Sequence, residues 1–181
     1  MAGDPIDCHA VENARWADLE ALFEARGGPH YCWCMAWRSK PPDKDKASLK
    51  AALHQRVNDG TPIGIIGYDG NRPVAWCSIA PRPTYRRLGG PGDHESDGAV
   101  WSIVCFFIKR DMRGKGLTES LIRAAISEAQ AHGAKTIEAY PVDSNSPSYG
   151  FMGRVATFER LGFKPVGKVG KWRHAMRLAL A

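Results

Sequence analysis

Val100 to Ile108 run apolar almost without a break and lead into Lys109-Arg110-Asp111-Met112-Arg113-Gly114-Lys115-Gly116-Leu117-Thr118. Behind that turn, Leu117, Leu121, Ala125 and Ala129 fall on one helical stripe, and Gly133 stops it. A buried strand entering a basic, glycine-punctuated turn that opens an amphipathic helix constrains the fold more than any other feature. Such a turn aims several backbone N–H groups in one direction, at the positive end of a helix dipole. With arginines and lysines beside it, it suits a phosphate. The spacing is not that of a nucleotide P-loop, which needs Gly-x-x-x-x-Gly-Lys-Ser/Thr, and no Gly-x-Gly-x-x-Gly is present, which disfavours a dinucleotide fold.

The flanking sequence supplies the rest of a sheet. Ile6 to Val11 reads as a first strand, and Asn13 as the cap of a helix carrying Trp16, Leu19 and Phe23. Asp45 opens a second helix with Leu49, Leu53 and Val57 on one face. Pro62 to Tyr68 and Pro73 to Ala80 form a hairpin about Asp69-Gly70-Asn71-Arg72. Lys135 to Val142 is a fifth strand, Arg154 to Leu161 a short helix ended by Gly162, and strands near Phe163 to Val169 and Trp172 to Leu180 follow. The order β-α-α-β-β-β-α-β-α-β-β predicts a mixed α/β sheet in one domain spanning residues 1–181.

The formal net charge of +6 suits an anionic ligand. No aromatic–basic alternation of an RNA-binding strand appears, and Arg86-Arg87 is too short a patch, so nucleic acid is not expected. No apolar run approaches the roughly 20 residues that span a bilayer, and no export signal is visible, which predicts a cytoplasmic protein away from membranes. The cysteines number five, an odd count that fits reduced thiols better than a disulfide framework.

Two motifs carry a resemblance. Arg113-Gly114-Lys115-Gly116-Leu117-Thr118, between a strand and a helix, is similar to the pyrophosphate loop Arg/Gln-x-x-Gly-x-Gly/Ala of the GCN5-related N-acetyltransferase (GNAT) superfamily. Phe158-Glu159-Arg160-Leu161-Gly162-Phe163 resembles that family's aromatic-x-x-x-Gly-Phe ending of the last helix. The element order extends the likeness over nearly the whole chain. It implies a strongly twisted GNAT-like sheet with helices on both faces and acetyl-CoA as acyl donor. The donor would lie in a V-shaped gap beside the central strand, with backbone groups around Phe107 and Ile108 pairing with the pantetheine. Amides of Arg113, Gly114, Lys115, Gly116, Leu117 and Thr118 would wrap the pyrophosphate. Thr118 departs from the family's usual Gly or Ala, and Phe158 stands near the donor where relatives often carry a catalytic tyrosine.

The resemblance implies an N-acetyltransferase acting directly on an amine, with a small-molecule acceptor. It does not name the proton carriers. Phe158 has no proton to give, so Tyr140 and Tyr149 are the candidate acids. The central strand carries only Ser102 and Cys105 as polar groups, which leaves Glu138, on the same face of its strand as Tyr140, ahead of the loop residues His94, Glu95 and Asp97 as base. A water chain with no single base is the alternative. His30-Tyr31-Cys32-Trp33-Cys34-Met35-Ala36-Trp37-Arg38 lies where relatives shape the acceptor pocket, and Trp33 and Trp37 fit pocket or core equally. His30, Cys32 and Cys34, with Cys77 or Cys105, alternate like zinc ligands. Metal-binding cysteine pairs usually stand further apart, so packing thiols are expected and no metal site is assigned. A weakly catalytic acyl-CoA-binding module is the competing function, and pairing through an exposed sheet edge leaves a homodimer open.

Overall fold

The computed structural model describes residues 6–38, 41–92 and 98–181. His94, Glu95 and Asp97 lie outside them. Strands β1 (Asp7–Ala10), β2 (Ile65–Asp69), β3 (Arg72–Pro81), β4 (Val100–Ile108), β5 (Thr136–Ala139), β6 (Lys164–Val169) and β7 (Arg173–Ala179) alternate with helices α1 (Trp16–Glu24), α2 (Lys46–Asn58), α3 (Leu117–Ala131) and α4 (Val155–Arg160). This is the expected order. Among the described residues the strands form one sheet, β1-β2-β3-β4-β5-β7-β6, in which β4 and β5 run parallel and the other neighbours antiparallel.

Local chemistry explains the helix boundaries. Asp45 caps α2, accepting from Ser48 N at 3.1 Å and Ser48 Oγ at 2.7 Å. Asn13 does not cap α1: residues Asn13–Arg15 wind into a 3-10 turn, and α1 begins after it without a side-chain cap. Gly162, at φ +90, ends α4 and lets Phe163 N donate to Phe158 O at 3.1 Å.

The sheet carries helices on both faces. Leu117, Leu121, Ile122, Ala125 and Ala129 of α3 and Phe158 of α4 bury one face against Ile65, Ala75, Cys77 and Ile103. On the other, Leu19, Leu22 and Phe23 of α1 and Leu49, Leu53 and Val57 of α2 pack on Ile66 and Trp76. Leu121 is fully buried. Leu121→Ala is expected to cost about 2–5 kcal/mol, read as a fall in the urea midpoint at unchanged slope. Among the described residues no helix is long and apolar enough to cross a membrane.

Candidate functional site

The site originates in the way β4 loses a neighbour. β4 pairs with β5 only from Val100 to Ile103, opposite Thr136 to Ala139. Tyr140-Pro141 then carries the chain away, so that Val142 bridges Arg154 and Arg173 instead. This is why the fifth strand stops short of the expected Val142. On its other edge β4 stays paired with β3 as far as Ile108, with Val104 bulged out between the pairs Ile79–Ile103 and Ser78–Cys105. Beyond the bulge, Cys105 to Ile108 therefore have a strand on one side and a cleft of about 950 Å³ on the other. Cys105, Phe106, Phe107 and Ile108 line that cleft.

Its far end is closed by the glycine turn. Gly114 and Gly116 adopt φ +76 and +75, a left-handed backbone that favours glycine. A Cβ built on either would meet no protein atom within 4 Å. Gly116 is the N-cap of α3 and brings no side-chain cap, so the first-turn amides of Leu117 and Thr118 have no intrahelical acceptor. Arg113, Gly114, Gly116, Leu117 and Thr118 all line the cleft. The Arg113 guanidinium folds back to donate from Nε to Ile108 O at 3.0 Å. The Lys115 side chain, by contrast, turns away to Met112 Sδ, 3.5 Å distant, and does not line the cleft.

Opposite the turn, α4 contributes Arg154, Thr157 and Arg160 to the wall. Sequence reasoning missed these residues, although their spacing places them on one helical face. Phe158 itself is fully buried, with its ring 5.0 Å from that of Phe163 and 6.3 Å from that of Phe106. It supports the cleft from behind Phe106 and does not line it, which corrects its placement beside the donor.

The other end of the cleft is formed by the aromatic, cysteine-rich segment. Tyr31, Cys32, Cys34, Ala36 and Trp37 line it together with Cys105. Trp33 is core: it packs on Trp16 and Phe23 at ring distances of 5.9 and 5.3 Å. Trp37 lies in the wall, between the guanidiniums of Arg86 and Arg173, 5.0 and 4.9 Å from its ring centroid. The neighbouring Cys105 thiol, aided by the Arg38 charge, outweighs burial and lowers the Cys34 pKa. Among the described residues no three His, Cys, Asp or Glu side chains are grouped to hold a metal.

Glu138 and Tyr140 are not at the cleft. Glu138 is fully buried and lies directly across the β5–β7 register from Arg177. It accepts from Arg177 Nε and Nη2 at 3.1 and 2.9 Å, Arg82 Nη1 at 3.2 Å, Ser102 Oγ at 3.4 Å and Tyr140 OH at 2.5 Å. A carboxylate so enclosed ties strands together. Proton exchange with a ligand in the cleft would require dismantling that cluster, which removes both residues from the catalytic assignment. Tyr149 does not line the cleft either, although its neighbours Gly150 and Phe151 do.

Residues 19–163 match the model of the acetyltransferase (GNAT) family. The chain belongs to that family. The acetyltransferase is 26% identical over 165 residues to the L-methionine sulfoximine/L-methionine sulfone acetyltransferases of Pseudomonas paraeruginosa and Pseudomonas aeruginosa, covering 90% of this chain and 88% of each relative. It shares its fold with an acetyltransferase from Thermus thermophilus (TM-score 0.59, 18% identity, 99% and 100% of the two chains). A second neighbour is AAC(6')-Ib in complex with paromomycin and acetyl-CoA (TM-score 0.62, 16% identity, 97% and 94%). Acetyl-CoA, the donor implied by this membership, fits the cleft: the unpaired edge of β4 suits an amide-bearing arm, and the open turn at Gly114 and Gly116 suits a pyrophosphate.

Proposed function

We propose that this acetyltransferase moves the acetyl group of acetyl-CoA directly to the amine of a small-molecule acceptor. The observation that carries this reading is one cleft joining the unpaired half of β4 to the amide-lined turn at one end and to the aromatic segment at the other. Bound acetyl-CoA supplies an acetyl group activated as a thioester. Peptide groups of Phe107 and Ile108 hold the donor's arm, and the amides of residues 113–118 hold its phosphates. One helix terminus contributes only about 0.3–1 kcal/mol when exposed, so the amides act as a set, with Arg113, Arg154 and Arg160 adding charge. Peptide N–H groups freed at the β4 bulge would serve as the oxyanion donors.

Proton handling follows from what the cleft contains. Its one lining carboxylate among the described residues is Glu119, which Arg123 holds at 2.8 Å near the phosphate end. The acceptor's proton therefore leaves through water, with no single essential base. The thiol of CoA leaves as a thiolate and takes its proton from water, so no side-chain acid is assigned where Phe158 stands. The acceptor is an amine that also bears a carboxylate. Arg86 and Arg173 make the wall around Trp37 positive, and the Pseudomonas relatives are named for amino-acid derivatives.

Calorimetry with acetyl-CoA is expected to show micromolar binding. Amine-dependent thiol release is expected to be faster for amino-acid-like amines than for polyamines, with intersecting initial-velocity lines. Absence of binding would remove the donor site. Binding without release across the amine panel would favour the second reading, an acyl-CoA-binding module, for which the lack of an acceptor-side carboxylate speaks. Parallel lines would refute direct transfer.

A further inference from the structure

Arg38 is a fully buried guanidinium. It donates to Cys34 O at 2.6 Å, Ile63 O at 2.7 Å, Ser78 Oγ at 2.9 Å and Tyr85 OH at 3.3 Å. Its Nε has no hydrogen-bond partner, and among the described residues no carboxylate meets it. A buried cation ordinarily requires an anion. The ionisable groups nearest to it are the phenol of Tyr85, whose pKa burial raises, and the thiols of Cys34 and Cys105. Both cysteines line the cleft, Cys105 packs against the buried cluster that holds Cys34, and it stands across the β3–β4 register from Ser78, which Arg38 also binds. Cys34 sits on a second left-handed residue in succession, Trp33 at φ +46 and Cys34 at φ +54, a strained backbone of the kind concentrated at functional sites.

This arrangement sets two thiols beside a buried cation in a cleft open to small molecules. It does not suit an acetyl relay: a thiolate stabilised by a cation is a weak nucleophile and a good leaving group, so an acetyl group on it would return to CoA. It does suit oxidation. We propose that Cys34 and Cys105 form a modification site, a thiol pair that hydrogen peroxide converts to a disulfide across the acceptor end of the cleft. In the first step Cys34 sulfur attacks a peroxide oxygen, the O–O bond breaks, and the departing hydroxide takes a proton (the thiol's own or, from a thiolate, one from solvent), leaving Cys34 sulfenic acid and one water. In the second, Cys105 sulfur attacks Cys34 sulfur, the S–S bond forms, the S–O bond breaks, and the Cys105 proton leaves with the hydroxide as a second water. The bridge ties the strained segment to β4 and removes the anion facing Arg38, closing the pocket to acceptors.

The test uses the reduced, full-length protein exposed to hydrogen peroxide, then alkylated in denaturant and mapped by mass spectrometry. Alkylatable thiols are expected to fall from five to three, with Cys34 and Cys105 in one crosslinked peptide that dithiothreitol releases. In Cys105→Ser, a dimedone adduct is expected at Cys34, and in Cys34→Ser, Cys105 stays reduced. Iodoacetamide labelling of Cys34 is expected to stay nearly level from about pH 6 to 8. Labelling of Cys8, whose thiol is pushed up to about 11 by burial and Asp7, rises about tenfold per unit. Five thiols surviving peroxide that consumes free cysteine, or a bridge through Cys32, would overturn the assignment, and the wild-type map decides this even if Cys34→Ser does not fold. Loss of turnover on oxidation, by at least about tenfold and reversible by dithiothreitol, rests on the acetyl-transfer reading. A crosslink that leaves turnover intact would overturn closure of the pocket. Failure to bind acetyl-CoA would instead remove the earlier reading and leave the thiol result standing.

Discussion

Gly116→Glu is expected to abolish acetyl-CoA binding. Gly116 occupies a left-handed conformation at the N-cap of α3, where a residue with a Cβ pays roughly 1–2 kcal/mol. That strain alone would weaken the turn without destroying it. The larger effect comes from where the side chain must go. A Cβ there meets no protein atom, so the new carboxylate projects into the open space that would receive a pyrophosphate. Like charges at such separations repel by several kcal/mol at the effective dielectric of a protein surface, about 20. Together the two effects correspond to at least about a hundredfold loss of affinity, since each 1.4 kcal/mol is about tenfold. Titration calorimetry is the measurement, with circular dichroism to verify folding and Gly116→Ala to separate strain from charge. A Gly116→Glu protein that binds acetyl-CoA normally would move the phosphate site elsewhere.

Glu138→Gln is expected to produce the largest loss of stability among single substitutions in the sheet. Glu138 is buried against fully buried Tyr140 and nearly buried Arg82, with Arg177 completing the cluster from β7. The amide is nearly isosteric, so packing is kept while two guanidinium charges face a neutral group. Breaking a buried pair from one side typically costs about 3–5 kcal/mol, against a total of about 5–15 for a domain. Urea denaturation should show a lowered midpoint, whereas the KM for acetyl-CoA of the folded protein should change little. The opposite pattern, with stability retained and kcat collapsed, would return Glu138 to the role of base that its strand position first indicated.

Glu138 also marks the limit of sequence reading. Its face was legible from the alternation of β5, and so was its proximity to Tyr140. What turned it from a candidate base into a strand clamp was Arg177, across the register on a strand that begins more than thirty residues later, and Arg82 from the opposite direction. Pairings over such distances leave no local pattern. β4 and the turn after it were legible because hydrophobicity, glycines and helix start all act within a few residues. The segment around Cys34 was illegible for the opposite reason: its left-handed backbone is imposed by Trp33 packing into α1 and by Arg38 binding the Cys34 carbonyl, not by any turn-forming residue.

The parting of β4 and β5 also separates two kinds of heredity. On the proposed reading the donor's arm is received by peptide groups, which every amino acid except proline carries alike, so side chains along that edge can drift without changing which coenzyme is used. The opposite end of the cleft carries the bulky and reactive side chains of Tyr31, Cys32, Cys34 and Trp37, so substitutions there alter what can enter. A lineage carrying this fold can thus exchange acceptors one residue at a time while its source of acetyl groups stays fixed.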